Sequence, residues 1–400
     1  MKKILLLGGS AQQITAIETA KRLGYYTVLC DYLPDNPGQH AADAFYLVST
    51  TDREKVLDVA RKEQVDGVLA YASDPAAPTA AYVAEQMELP GNPSDSVEIL
   101  CNKDRFREFL LANGFCSPQA KSYDDAEQAL RDLCEKEFNL PVMVKPVDSS
   151  GSKGVSKIDD LIKADRCIAD AFSFSRCGRI IIEEYVDAFG YQIAGDGLSV
   201  DGKLVFDCFA NDHFNRQCKN PYVPVSASFP LSMPESAYEK IRVEIQRLLS
   251  LLGMKTCTYN FDIRIDAEQN VYLMEVAPRD GGNYIPDVIR YATGIDLVEC
   301  AVRGAMGETV PVPEHANAKG YWSYFAVHSL ENGILDRVEI ADWAQEKIVE
   351  NHIINQKGDP VKPFVGANST LGCLIMRFGS MEEMLHMMDF PDEWITVELQ

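Results

Sequence analysis

The chain has 400 residues, enough for roughly two to four domains with sizeable hydrophobic cores. Its 38 Lys+Arg against 60 Asp+Glu leave a net charge of −22, which repels a phosphate backbone and argues against general binding to nucleic acid or to an anionic membrane. Hydrophobic residues at 46% and aromatics at 9% belong to a globular protein and exclude a disordered acidic chain.

The first element is the apolar run of residues 3–7, a strand buried on both faces. It is too short for the core of a signal peptide, and no stretch approaches the ~18 apolar residues needed to cross a bilayer. A glycine turn leads to a helix over 11–23. Strands at 27–31 and 45–48, a helix at 52–63 with Asp52 near its start, a strand at 67–71 and a helix at 75–88 follow. Alternating strands and helices predict a doubly wound α/β unit over about 1–95.

Amphipathic helices are expected at 102–113, closed by Gly114, and at 124–137. A short strand, 141–146, ends in Lys145-Pro146. The loop 148–155, a helix at 159–172 and a strand at 179–186 complete an α+β block. Strands then dominate, at 191–199, 203–210 and 222–229, before a helix at 235–252. Two β-runs, 258–265 and 271–276, are joined by the turn 266–270, and helices at 284–293 and 296–306 follow. The Pro-containing stretch 307–319 reads as a boundary, and 320–400 as a mixed C-terminal subdomain. The sequence holds no internal repeat and no low-complexity segment.

The eleven cysteines are odd in number and scattered, with no C-x-x-C pair, and the six histidines form no H-x-x-x-H or Cys/His cluster. A disulfide framework or a zinc knuckle would be clustered, so the expectation is a cytoplasmic protein with reduced thiols.

Three segments carry chemistry. In the loop 148–155, Gly151 and Gly154 let backbone N–H groups wrap an anion, and the hydroxyls of Ser149, Ser150 and Ser152 add donors. Lys145, Lys153 and Lys157 against Asp148 make residues 142–158 a positive island in an acidic chain, which suggests a phosphate site. The segment does not match the P-loop pattern G-x-x-x-x-G-K-[ST]. Next, Asp262 and Glu275 lie near the ends of two runs joined by a short turn, so antiparallel pairing brings them together. Two carboxylates that close imply a cation, Mg²⁺. Arg264 shares a face with Asp262 by period 2. The loop Pro278-Arg279-Asp280-Gly281-Gly282-Asn283 suits a further phosphate or carboxylate. Finally, the strand ending Glu183-Glu184-Tyr185-Val186 can present backbone and carboxylate edges to a base.

The order of these parts resembles the ATP-grasp superfamily. Lysine on a helix (Lys103), lysine ending a strand (Lys145), the Gly/Ser loop 149–155, the Glu-Glu-Tyr-Val run and Asp262…Glu275-x-x-x-Arg279 are most similar to the carboxylate–amine ligase branch. That branch holds biotin carboxylase, carbamoyl-phosphate synthetase and phosphoribosylglycinamide synthetase. The resemblance implies a Rossmann-like pre-ATP-grasp domain over 1–98 and a small clamp subdomain with the phosphate loop over 99–187. A large subdomain with the metal site over 188–312 and a C-terminal subdomain over 313–400 complete the expected α/β and α+β architecture.

The same resemblance implies roles. Lys103 and Lys145 contact ATP phosphates, with Ser149, Ser150, Gly151, Ser152, Lys153, Gly154 and Val155 closing over them. Glu183 accepts from the adenine amino group, and Glu184, Tyr185 and Val186 line the base. Gln192 stands where the family has a ribose-binding glutamate. Asp262 and Glu275 hold Mg²⁺, with Mn²⁺ as a substitute. Ala277 stands where an asparagine ligand is common, so one metal ligand is missing. Arg279, with Lys145, serves the phosphoryl transfer. The acceptor substrate is expected near Gly9, Ser10, Asp31, Ser73 and Asp74, near the polar segment around His213, and beside Arg264, Gly281 and Gly282. The first glycine turn fails G-x-G-x-x-G, which weighs against a dinucleotide reading, with Asp31 at a strand end the one feature in its favour; a nicotinamide-dependent oxidoreductase using the first domain stays a third alternative.

The implied activity is ATP-dependent joining of a small-molecule carboxylate to an amine through an acyl phosphate. A non-catalytic ATP-binding protein on the same fold is the alternative, and a homodimer is the fold-level expectation.

Overall fold

In the computed structural model, which describes residues 1–311, 318–366 and 369–400, the apolar run at the amino terminus becomes β1 (Lys3–Leu7). It has neighbours on both sides, hence the absence of polar alternation. After α1 (Ile14–Arg22) come β2 (Tyr26–Asp31), the short α2 (Gly38–Ala41), β3 (Ala44–Leu47), α3 (Arg53–Glu63), β4 (Gly67–Leu69) and α4 (Ala77–Gln86). The four strands form a parallel sheet in the order β3-β2-β1-β4. Asp52 caps α3 by accepting from the Lys55 N–H.

Helix α5 (Ser94–Cys101) runs across the expected 98/99 junction and leads directly to α6 (Lys103–Ala112). Then come β5 (Ala120–Tyr123), α7 (Ala126–Cys134), β6 (Val142–Pro146), β7 (Ser156–Ile158), α8 (Ala164–Phe174) and β8 (Ile180–Glu184). These strands form a second sheet, antiparallel, in the order β5-β8-β6-β7. The Gly/Ser loop is the connection of its β6–β7 hairpin.

The largest sheet begins with β9 (Ile193–Val200), β10 (Lys203–Phe214) and β11 (Pro224–Phe229). Helix α9 (Glu235–Leu251), β12 (Cys257–Ile265), β13 (Val271–Ala277), α10 (Ile285–Thr293) and α11 (Leu297–Ala305) follow. The C-terminal part adds β14 (Tyr321–Val327), β15 (Gly333–Ile340), α12 (Asp342–Gln345), β16 (Ile348–Asn351), β17 (Pro360–Val361), β18 (Gly372–Phe378), α13 (Met381–Asp389) and β19 (Ile395–Leu399). The order β13-β12-β9-β10-β11-β14-β18-β16 makes one eight-stranded antiparallel sheet, so three C-terminal strands continue the sheet that carries the carboxylate pair. The boundary expected at 312/313 lies outside the described residues.

Packing separates the parts unequally. One core cluster joins the first sheet and α4 to α6, α9, β12 and β13, through residues such as Val68, Ala80, Leu110, Ile245, Phe261 and Leu273. The small lobe β5–β8 has a core of its own, drawn only from residues between Tyr123 and Ile182. Its seam with the body is therefore where polar contacts decide the geometry.

Candidate active site

Antiparallel pairing of β12 with β13 places Asp262 directly opposite Glu275. Burial, reinforced by the Glu275 charge, pushes the Asp262 carboxyl up to about 6. Lys103, the first residue of α6, answers this negative charge. Its backbone N–H is pinned to the Val147 carbonyl at 2.9 Å, and its ammonium donates to the Ser149 carbonyl at 2.9 Å and lies 3.2 Å from Glu275 Oε2. One ammonium thus joins the Gly/Ser loop to the carboxylate pair. Burial opposes its charge, but Glu275 and Asp74 outweigh that and raise its pKa.

The loop is held in shape by its surroundings. Gly151, Ser152 and Gly154 have φ of +64°, +56° and +69°. A Cβ on Gly154 would come within 3.0 Å of Phe174 and of Pro146. Ser152 Oγ donates to the Tyr222 carbonyl at 3.0 Å, tying the loop to the large sheet's side, and Asn220 Nδ2 donates to the Ser152 carbonyl at 2.9 Å. Asp148 anchors the loop's start by accepting from the Arg176 and Cys177 N–H groups. Ser149, Ser150, Lys153 and Val155 complete the hairpin tip, where Val155 N–H turns back to the Ser152 carbonyl.

At the opposite edge of the cleft, the structure corrects the expected role of Glu183. Its side chain is already engaged within the protein. It is 1% exposed, accepts from Arg107 Nε at 2.9 Å, and is ion-paired through its other oxygen with Lys145. Burial alone would raise the carboxyl, but Arg107 and Lys145 pull it down to about 2. Lys145 is lowered because burial outweighs Glu183. Glu184 is also engaged: its N–H donates to the Gln119 carbonyl, and its carboxylate accepts from Asn139. The Tyr185 N–H donates to the Pro141 carbonyl, and its ring lies between Lys157 (3.8 Å) and Arg264 (4.8 Å). The Val186 carbonyl accepts from Arg264 at 2.6 Å.

Gln192 is locked. Its Oε1 accepts from Arg264 Nε and Nη2, and its Nε2 donates to Asp262 Oδ1 at 2.7 Å and Asp212 Oδ2 at 3.1 Å. Asp212, a third buried acid missed from the sequence, is pushed well above the usual carboxylate range by burial and by Asp262. Among the described residues, no group of three or more His, Cys, Asp or Glu is arranged to hold a metal. The Asp262–Glu275 pair still fits a hard divalent cation, because a buried carboxylate beside a like charge is short of positive charge. Phosphate oxygens and water are the natural remaining ligands.

His213 is a second correction. The strand expected to end at 210 runs on to Phe214, and His213 is 1% exposed within it. Alternation puts it on the opposite face from Asp212. There its ring bonds Asp389 at 2.7 Å and Ser228 at 2.8 Å, so it holds α13 and does not meet the cleft.

Arg279 makes a two-pronged ion pair with Asp74, both contacts at 2.7 Å, joining the loop after β13 to the loop after β4. Burial would raise Asp74, but Arg279 lowers it. The remaining first-domain residues do not gather around this pair. Asp31 is buried and accepts from the Gly9 and Leu33 N–H groups, Ser10 bonds Gln13, and the Ser73 carbonyl starts the turn into α4. Asp31 and Gly9 therefore hold the local turn. Gly281 donates its N–H to Asp196, against which a Cβ would come within 2.8 Å, and Gly282 lies beside Gln12. A cavity of about 290 Å³ opens next to Lys103, Ser149, Glu275 and Asp74.

The sequence also missed Arg107. The available signal was an arginine four residues after Lys103 on the apolar side of the same helix, beside Phe106 and Leu110.

Comparison with known proteins gives a consistent picture. Residues 114–285 match the family model described as D-ala D-ala ligase C-terminus. The chain is 28% identical over 237 residues to the uncharacterized protein y4rH of Sinorhizobium fredii, covering 58% of this chain but only 47% of that one, so it spans about half that relative's length. It is 26% identical over 320 residues to a formate-dependent phosphoribosylglycinamide formyltransferase of Prochlorococcus marinus, covering 78% of each. An L-amino acid ligase from Bacillus licheniformis superposes with a TM-score of 0.81 at 21% identity, covering 100% of this chain and 99% of that one. The biotin carboxylase domain dimer of Hydrogenobacter thermophilus 2-oxoglutarate carboxylase, bound to MgADP and bicarbonate, superposes with 0.72 at 18% identity, covering 100% and 91%.

Proposed function

From an ATP-grasp fold that extends over the whole chain, we propose that this protein is an ATP-dependent ligase that activates a small-molecule carboxylate as an acyl phosphate for attack by an amine. The observation that carries this reading is the Lys103 ammonium, which bridges the anion-binding hairpin loop and the paired carboxylates Asp262 and Glu275. A nucleotide's phosphates and their Mg²⁺ need that combination of cations, loop donors and carboxylates in one place.

In this reading Lys103, Lys145 and the N–H groups of residues 149–155 bind the phosphates. Asp262 and Glu275 hold Mg²⁺, which offsets phosphate charge when bound. The substrate carboxylate oxygen forms a bond to the γ-phosphorus as the bond to ADP breaks. The amine then attacks the acyl carbon, phosphate leaves with the C–O bonding pair, and the proton lost from nitrogen passes to the departing phosphate or to water. Arg279 lies four residues beyond Glu275 with its guanidinium held by Asp74, which lines that cavity, and suits the developing charge. Catalysis is positioning and electrostatics, with no nucleophilic side chain.

The hinge segment 184–186 and Gln192 border the nucleotide's base and sugar, with the Glu183 carboxylate reserved for Lys145. All eleven cysteines are free. No helix among the described residues is long and apolar enough to cross a membrane. We also propose a homodimer, by analogy with the dimeric biotin carboxylase domain.

The test is ADP release in the presence of ATP, Mg²⁺ and a matrix of carboxylates and amines. ADP should require one of each, and Lys145→Ala or Glu275→Ala should lower the rate by roughly 10²-fold or more. Unchanged ADP release in those variants overturns the site. Tight ATP binding without turnover across the matrix favours a non-catalytic nucleotide-binding protein.

A further inference from the structure

Arg107 is 4% exposed and has no place in the proposed chemistry. It projects from α6 one turn after Lys103, and its donors reach three groups on two separate strands. Nε meets Glu183 Oε2 on β8 at 2.9 Å. Nη1 and Nη2 meet the Leu273 and Met274 carbonyls on β13 at 3.3 and 2.8 Å, immediately before Glu275. The second Glu183 oxygen holds Lys145. Because the small lobe's apolar core is its own, this guanidinium is a main polar tie across the seam between lobe and body.

We propose that Arg107 is a positioning residue that keeps Glu183 neutralised when Lys145 leaves it for the nucleotide's phosphates, while fixing the strand that carries Glu275. The proposal rests on the nucleotide reading above. A buried carboxylate with one cationic partner cannot release it without being left as an uncompensated charge, which is strongly unfavourable. With two partners, one can go. Arg107 is suited to stay, since its other donors are bound to backbone carbonyls that do not move with the ligand. Lys145 is suited to leave, being the more exposed cation of the pair, 15% against 4% for Arg107, and lowered in pKa by burial, with Arg107 and Lys103 adding to that. Without Arg107, Glu183 would hold Lys145 alone and withhold it from ATP.

This predicts a rescue that a spacer role does not. The Kd of a non-hydrolysable ATP analogue with Mg²⁺ is measured by calorimetry for the wild type, Arg107→Met, Arg107→Lys and the double variant Arg107→Met/Glu183→Gln. Arg107→Met should weaken binding at least tenfold, and the double variant should regain most of it, because the carboxylate that traps Lys145 is gone. Arg107→Lys retains a charge but cannot reach all three partners and should fall between, which keeps the test readable if Arg107→Met is poorly folded. Wild-type affinity in Arg107→Met, or no recovery in the double variant, overturns the proposal while leaving the nucleotide reading intact. A wild-type protein that does not bind the analogue overturns that reading, and this one with it.

Discussion

A buried carboxylate with two cationic partners responds to pH in the opposite sense to one that faces another acid, and this cleft contains both kinds. Glu183, drawn from an ordinary 4.5 to about 2, binds protons more weakly folded than unfolded. Its contribution is fully present above pH 4.5 and is lost as pH falls towards 2. The shift corresponds to something on the order of 3 kcal/mol. Denaturant titrations between pH 2.5 and 6 should show this loss in the wild type and a flatter profile in Glu183→Gln. Asp262, raised from 3.8 to about 6, behaves the other way. In metal-free protein, stability should rise as pH falls from 6 towards 3.8, and Mg²⁺ must displace a proton to bind. Mg²⁺-dependent ADP release should therefore decline below pH 6, with the Mg²⁺ requirement shifting to higher concentration. His213 belongs to neither group. Its bonds to Asp389 and Ser228 are on the far face of the sheet, so His213→Ala should cost about 1–3 kcal/mol in unfolding while ADP release stays near the wild-type rate.

In the small lobe, legibility followed burial. Strands inside sheets, such as β1, β6, β8 and β12, show as apolar runs or as strict alternation, and their spans match expectation within a few residues. Strands β5 and β7 were not visible because they are the two edges of the small sheet. An edge strand has one neighbour and can be as polar as Ala-Lys-Ser-Tyr or Ser-Lys-Ile. Strand β10 outran its expected end because Asn211, Asp212 and His213, residues of the polar segment, are each satisfied by neighbouring side chains. The hairpin loop was legible by its glycines, and its rigidity gives a prediction. Gly154→Ala combines a φ of +69° with contacts near 3.0 Å, so it should lower stability by about 1 kcal/mol or more. It should also weaken analogue binding measurably by calorimetry.

For the molecule as a whole, the cleft is closed by contacts between distant parts, the Asp74–Arg279 pair above all. A ligand that binds only the folded cleft stabilises it by mass action, about 2.7 kcal/mol at a hundredfold excess over Kd. A thermal-shift series with the ATP analogue should show that gain with Mg²⁺ present and a smaller one after EDTA. The sequence by itself determined the order of elements, the Gly/Ser hairpin loop and the meeting of Asp262 with Glu275, because each depends on local periodicity, a glycine or a five-residue turn. Only the tertiary structure decided which charges are free to meet a ligand. Lys145 and Glu183 are 38 residues apart, Arg107 and Glu183 76, and Arg279 and Asp74 205. Pairing over those separations is set by how lobes pack, and a buried charge takes whichever partner packing brings to it.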